Sequence, residues 1–329
     1  MSILVLGTVA LDTVKTPFGA RKHMLGGSAV HFSMSARLFT EVNLVAIIGA
    51  DFPQEHIDFL HQKGIILTSL IKSKGSTFKW EGEYKGDLNT ALTLNTELGV
   101  LSVFKPCILE GQRNIKHIFL ANVDPDIQMH LLKRMKQPHF VGLDSMNFWI
   151  NHKRSSLLKL LKEVNIYVAN DQEARALSGE NNLVKAAKKL HSLGPEMILI
   201  KKGEHGVFFY GMGKHKTLSQ PLKLHKENPE SRLWRDEVSC KEGFIFSLPA
   251  YPTDKVIDPT GAGDTFAGGF MGYLASQKKI TEFSIKKALA YGTIAASFNV
   301  EEFGVEKTSL LKKEDLDNRL ERFKKYILL

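Results

Sequence analysis

Residues 258 to 270 read Asp-Pro-Thr-Gly-Ala-Gly-Asp-Thr-Phe-Ala-Gly-Gly-Phe, a glycine-rich turn that enters a helix with one carboxylate, Asp264, at the junction. Gly261, Ala262 and Gly263 have little or no side chain. Their backbone N–H groups can therefore converge at a helix start, where unpaired donors and the dipole favour an anion. Such a nest of amides suits phosphate. Asp264 is acceptor-only when ionised and would stand beside that anion, a placement suited to taking a proton from an attacking hydroxyl. Together the two features predict phosphoryl transfer. The competing account is a capped, buried helix in which Ala267, Gly268 and Gly269 allow close packing.

Two other phosphate motifs do not fit. The dinucleotide fingerprint needs a third small residue where the chain has Phe266, and Walker A needs a spacing and a hydroxyl that Gly211-Met212-Gly213-Lys214-His215 lacks.

The elements that would hold the turn follow from hydrophobic patterning. Apolar β-rich runs at 3–9, 43–48, 117–122, 139–144, 165–169 and 196–201 alternate with helical patterns at 28–39, 127–137, 156–163 and 183–193. That alternation predicts a mainly parallel sheet covered by helices, with ligands at the carboxyl ends of the strands. Asp12, Asn170 and the Gly261 turn all fall at such ends. Residues 65–104 alternate in polarity around Lys85-Gly86-Asp87 and predict a small β lid, carrying Phe78, Trp80 and Tyr84. Residues 213–242 are polar and aperiodic, which predicts a long loop or insertion. From 264 onward the pattern is helical, at 264–276, 282–299 and 313–326.

The C-terminal string resembles the signature of ribokinase-like (PfkB) carbohydrate and nucleoside kinases. Gly26-Gly27-Ser28-Ala29 resembles that family's N-terminal Gly-Gly motif, and Asn170-Asp171-Gln172-Glu173 its Asn-x-x-Glu motif, in the same order and spacing. The resemblance covers nearly the whole chain. It implies a single α/β domain over 1–329, a three-layer sandwich with a mainly parallel central sheet and a small β lid. It also implies an ATP-dependent kinase in which Asp264 is the base and the Gly261-Ala262-Gly263 amides form the anion hole.

Further roles come with the resemblance. Asn170 would serve the nucleotide and Glu173 a hydrated Mg²⁺, although without the resemblance the same pair reads as a helix capping box. Lys202, Gly203 and Gly206 would line the nucleotide pocket, and Gly292 would border adenine. Asp258 and Thr260 would contribute to a potassium-like cation site found in some relatives. On the acceptor side stand Asp12, Gly26, Gly27 and His31, the last where many relatives have Asn. Asp144, Met146 and Asn147 resemble another acceptor region. The implied acceptor is a primary hydroxyl on a sugar. A nucleoside is the alternative, since the lid aromatics can stack on a base, and a catalytically silent nucleotide or sugar sensor is the alternative of another class. The lid is also a candidate homodimer surface.

Composition sets the remaining bounds. The chain has 329 residues, 43% of them hydrophobic, ample for a large core. Its two cysteines, Cys107 and Cys240, form neither a disulfide framework nor a metal cluster. The absence of a basic leader or a long apolar run predicts a soluble, cytoplasmic protein with no membrane partner. The formal charge of +9 comes from scattered lysine pairs without a nucleic-acid motif, so no specific nucleic-acid partner is expected.

Overall fold

Successive side chains of the first strand enter two different cores, Ile3 and Val5 one, Leu4 and Leu6 the other. Strand geometry sends alternate residues to opposite faces, so the apolar run 3–6 must be covered on both. A computed structural model of the chain, describing residues 1–86, 88–211 and 244–327, shows both covers.

The strands are β1 (Ser2–Leu6), β2 (Ala10–Thr16), β3 (Gly19–Gly26), β4 (Glu41–Ile48), β5 (Ile65–Lys72), β6 (Phe78–Tyr84), β7 (Ala91–Glu97), β8 (His117–Leu120), β9 (Phe140–Asp144), β10 (Ile166–Asn170), β11 (Met197–Lys201), β12 (Val207–Gly211) and β13 (Phe244–Leu248). The helices are α1 (Ser28–Ala36), α2 (Gln54–Gln62), α3 (Pro125–Leu132), α4 (Asn147–His152), α5 (Arg154–Leu161), α6 (Asp171–Ser178), α7 (Leu183–Ser192), α8 (Ala262–Ala275), α9 (Glu282–Asn299), α10 (Glu306–Leu310) and α11 (Lys313–Ile327).

Nine strands form the main sheet in the order β13-β12-β11-β10-β9-β8-β1-β4-β5, and four form a second sheet in the order β3-β2-β6-β7. In the main sheet every pairing is parallel except β11 with β12 and β12 with β13. Phe32 of α1, Phe270 of α8, Leu289 of α9 and Phe323 of α11 cover one face. Leu131 of α3, Leu157 of α5, Leu177 of α6 and Leu190 of α7 cover the other. The result is the expected three-layer sandwich with a mainly parallel centre and a small β lid.

The lid differs from the expectation in its membership. Residues 65–72 form β5, an edge strand of the main sheet paired with β4, whereas the lid takes in the hairpin β2–β3 from the N-terminal region. The β6–β7 hairpin lies where predicted, with antiparallel register from Lys79–Glu97 to Tyr84–Ala91. Asp87 of the predicted turn and the stretch 213–242 lie outside the described residues. Among the described residues no helix is long and apolar enough to cross a membrane.

Candidate active site

The carboxyl ends of the parallel strands bring the site together. β9 ends in Asp144, β10 in Asn170 and β11 in Lys201, with Asn170 and Lys201 in register. Gly261 caps the start of α8 in a left-handed conformation, φ 72°. The Ala262 N–H turns back to Pro259 O at 3.1 Å, and the Thr265 N–H donates to Gly261 O at 2.8 Å. Among the described residues the Gly261 and Gly263 amides have no backbone acceptor, so they are the open donors of the predicted nest.

Asp264 lies in the first turn of α8. Its carboxyl is pushed up to about 7 because burial penalises the charge and Asp144 repels it, against opposing pulls from Lys201 and its own backbone amide. Asp12, on β2, is likewise raised to about 7, chiefly by burial and further by Asp258 and Asp264, while the Gly27 N–H favours its ionised form. That N–H donates to Asp12 Oδ2 at 3.2 Å. Gly26 has to be glycine, because a Cβ there would fall 1.9 Å from Asp12 Oδ2. The Gly-Gly motif and Asp12 thus form one unit beside the signature turn.

His31 is only 2% exposed, and its ring lies against Gly261, where an added Cβ would meet Cγ at 2.3 Å. Asn299 fixes its tautomer. Asn299 Nδ2 donates to Thr260 O at 2.7 Å, so its Oδ1 accepts from Thr265 Oγ1 at 2.9 Å and from His31 Nδ1 at 3.1 Å. Nδ1 therefore carries the proton, and Nε2 has no partner among the described residues. Burial lowers the His31 pKa, which keeps the ring neutral despite Asp258. His31 is thus a wall of the anion turn, tied to α9.

Asn170 and Glu173 form the capping box of α6. The Glu173 N–H donates to Asn170 Oδ1 at 2.8 Å, and the Asn170 N–H donates to Glu173 Oε2 at 2.7 Å. Glu173 is nonetheless raised to about 8 by burial and by Asp144, with Lys201 opposing. Asp258 is fully buried, accepting from the Thr260 N–H at 2.9 Å and the Gly304 N–H at 3.0 Å. No cationic side chain pairs with it among the described residues.

The nucleotide-side residues are less uniform. Gly203 and Gly206 take positive φ around a short 3₁₀ turn, and the Lys202 N–H closes it on Gly206 O at 2.8 Å. Gly292 is buried in the α8–α9 contact, where a Cβ would fall 2.8 Å from Phe266 O, so its small size serves helix packing. Met146 and Asn147 begin α4, and Met146 Sδ receives the Asn122 amide at 3.2 Å.

The lid reaches both halves of the site. Thr260 Oγ1 donates to Tyr84 Oη at 3.4 Å, and Asn89 Nδ2, beyond β6, donates to Glu204 Oε1 in the Gly203 turn at 2.9 Å. Trp80 stands in register with Asp12 across β2 and β6 and shares its face of the lid. Its indole lies against Gly82, whose added Cβ would fall 2.1 Å from Cη2. Sequence reasoning assigns no role to three contributors: Lys201, Thr265 and Asn299. Only Lys201 left a signal, as the last residue of a strand whose neighbour in register, Asn170, had been singled out.

A sequence model described as pfkB family carbohydrate kinase matches residues 6–228 and 235–312. A cytidine kinase of Thermococcus kodakarensis is 28% identical over 277 residues, 82% of this chain and 87% of that protein. The Methanocaldococcus jannaschii nucleoside kinase structure, an archaeal member of the ribokinase family, has a TM-score of 0.72 at 20% identity and covers 98% of both chains. A putative ribokinase II from E. coli, solved with ATP and Mg²⁺, has a TM-score of 0.75 at 15% identity, covering 98% of this chain and 99% of that one. At those identities the two structures establish the fold.

Proposed function

We propose, from the premise that the chain belongs to the pfkB family of carbohydrate kinases and is a phosphotransferase, that it moves the γ-phosphate of ATP to the primary hydroxyl of a nucleoside. The observation that carries the chemistry is the junction at α8, where open amides of Gly261 and Gly263 adjoin a carboxylate poised near neutrality. Asp264 accepts the hydroxyl proton as the oxygen attacks phosphorus, and the amides stabilise charge on the transferred group. Asp12 and the Gly27 amide read hydroxyls of the acceptor. Trp80, on the same face as Asp12, offers a flat surface to a base. The cytidine kinase matching most of this chain's length supports a nucleoside over a free sugar.

Two cations fit the residues present. The hard oxygens of Glu173, held by the Asn170 amide, suit the hydrated Mg²⁺ that neutralises phosphate charge when MgATP binds. A buried carboxylate such as Asp258, which no cationic side chain pairs among the described residues, suits a monovalent cation such as K⁺, with Thr260 beside it. The lid contacts to Thr260 and Glu204 would exclude water and favour transfer over hydrolysis.

The acceptor is tested by transfer from labelled MgATP to cytidine, adenosine, ribose and fructose. Phosphorylation of a nucleoside at the highest kcat/KM is expected. Preference for ribose or fructose would return the acceptor to a sugar, and silence despite tight MgATP binding would favour a nucleotide sensor. The pH profile follows from Asp264. Because its base form is lost below about 7, kcat/KM should be ~10-fold lower at pH 6 than at pH 8. A flat profile across that range would remove Asp264 as the group titrating in the reaction.

A further inference from the structure

Asp264 shares its pocket with a buried cation that belongs to none of the sequence motifs. Lys201 closes β11, its side chain is 17% exposed, and Nζ lies 2.9 Å from Asp144 Oδ2. A Cβ added to Gly263 would lie 2.9 Å from the same nitrogen. The ammonium therefore stands at the anion turn itself, in space that a side chain at 263 would contest.

The surrounding charge makes this placement consequential. Burial lowers the Lys201 pKa, but Asp144, Glu173 and Asp264 more than offset it, so the amine stays charged. Among the described residues no other ammonium or guanidinium pairs with any of those three carboxyls. Three acids without a cation would repel a polyphosphate from the amides that should receive it. A lysine suits this position as a compact charge whose three donors can hold Asp144 and still face an anion.

We propose that Lys201 is a catalytic residue of phosphoryl transfer, its ammonium anchored by Asp144 and in contact with the γ-phosphate above the Gly261–Gly263 turn. The bond from γ-phosphorus to the ADP oxygen breaks, the bond to the acceptor oxygen forms, and the acceptor proton passes to Asp264. Lys201 remains protonated throughout and acts by charge and hydrogen bonding. The inference rests on ATP as donor and is independent of whether the acceptor is a nucleoside or a sugar.

The test is therefore a binding ratio that needs no acceptor. Calorimetric affinities for Mg·AMP-PNP and MgADP are compared in the wild-type chain, Lys201→Met, Asp144→Asn and the double variant. Their ratio isolates the γ-phosphate. Lys201→Met should reduce the preference for Mg·AMP-PNP by ~10-fold or more, the scale of a lost charged hydrogen bond. The double variant should stay reduced, and Asp144→Asn alone should keep most of the preference. An unchanged ratio in Lys201→Met would make the ammonium a tie between strands β9 and β11 and overturn the proposal. Recovery in the double variant would overturn it too, by tracing the loss to a stranded Asp144 charge. If Lys201→Met fails to fold, the double variant, which removes both partners of the Lys201–Asp144 ion pair, supplies the same ratio. With the acceptor found by the transfer panel, kcat of Lys201→Met should fall ~100-fold with a smaller change in the KM for ATP, and Lys201→Arg should recover part of it.

Discussion

Replacing Asp264 with Asn should lower kcat by ~10²- to 10⁴-fold, the usual range for removing a proton-transfer group, while MgATP affinity changes little. The amide preserves shape and the start of α8 but cannot take the hydroxyl proton. The same substitution should raise the melting temperature at pH 8. The folded carboxyl titrates at about 7 against an ordinary 3.8. Between those values the folded protein holds a proton that the unfolded chain has released, so stability falls as pH rises through that window. Asn carries no such charge, and its advantage should shrink toward pH 4. Kinetics and thermal melts at the two pH values check both halves. Turnover near wild type would take the carboxylate out of the mechanism, and a lower melting temperature at pH 8 would show that burial is not what lifts its pKa. Opposite signs in rate and stability would mark a group held charged for function at a cost to the fold.

The backbone shape of the turn is legible in the sequence because glycines and a carboxylate in fixed order leave few backbone solutions. Gly261, Gly26 and Gly27 were legible for that reason. What remained hidden depends on contacts between residues far apart in the chain. His31 gave no hint of packing on Gly261 or bonding Asn299, since neither neighbour is local. The lid shows a different limit. β3 is exposed over its first five residues and has no apolar alternation to reveal a strand, yet it pairs with β2 along its length. β5, with five apolar residues among eight, has the composition of a main-sheet strand, and its position beside the lid hairpin in sequence obscured that. Motif spacing points to Lys202 in the turn, whereas the three-dimensional arrangement decides that Lys201 is the lysine that meets Asp144.

Gly261→Ala should damage the site through a single methyl. A φ of 72° is unfavourable for any residue with a Cβ, by roughly 1–2 kcal/mol. The new methyl would also lie 2.3 Å from the His31 ring. That ring cannot simply turn aside, because it is buried and its Nδ1 is bonded to Asn299, which in turn holds Thr260 O and Thr265 Oγ1. The backbone of the turn must move instead, carrying the Gly263 amide away from the phosphate it should receive. The expected result is kcat lower by ~10²-fold or more, in line with the loss of an oxyanion donor, together with a lower melting temperature. Adding His31→Ala to the same chain relieves the clash and leaves the φ penalty. It should restore part of the melting temperature while the rate stays low. A Gly261→Ala enzyme with wild-type kcat would show that the turn can shift without consequence, and the anion hole would then have to be sought elsewhere. If the double variant regained full rate, the clash alone would account for the defect, and the left-handed conformation of residue 261 would not be what aims the amides.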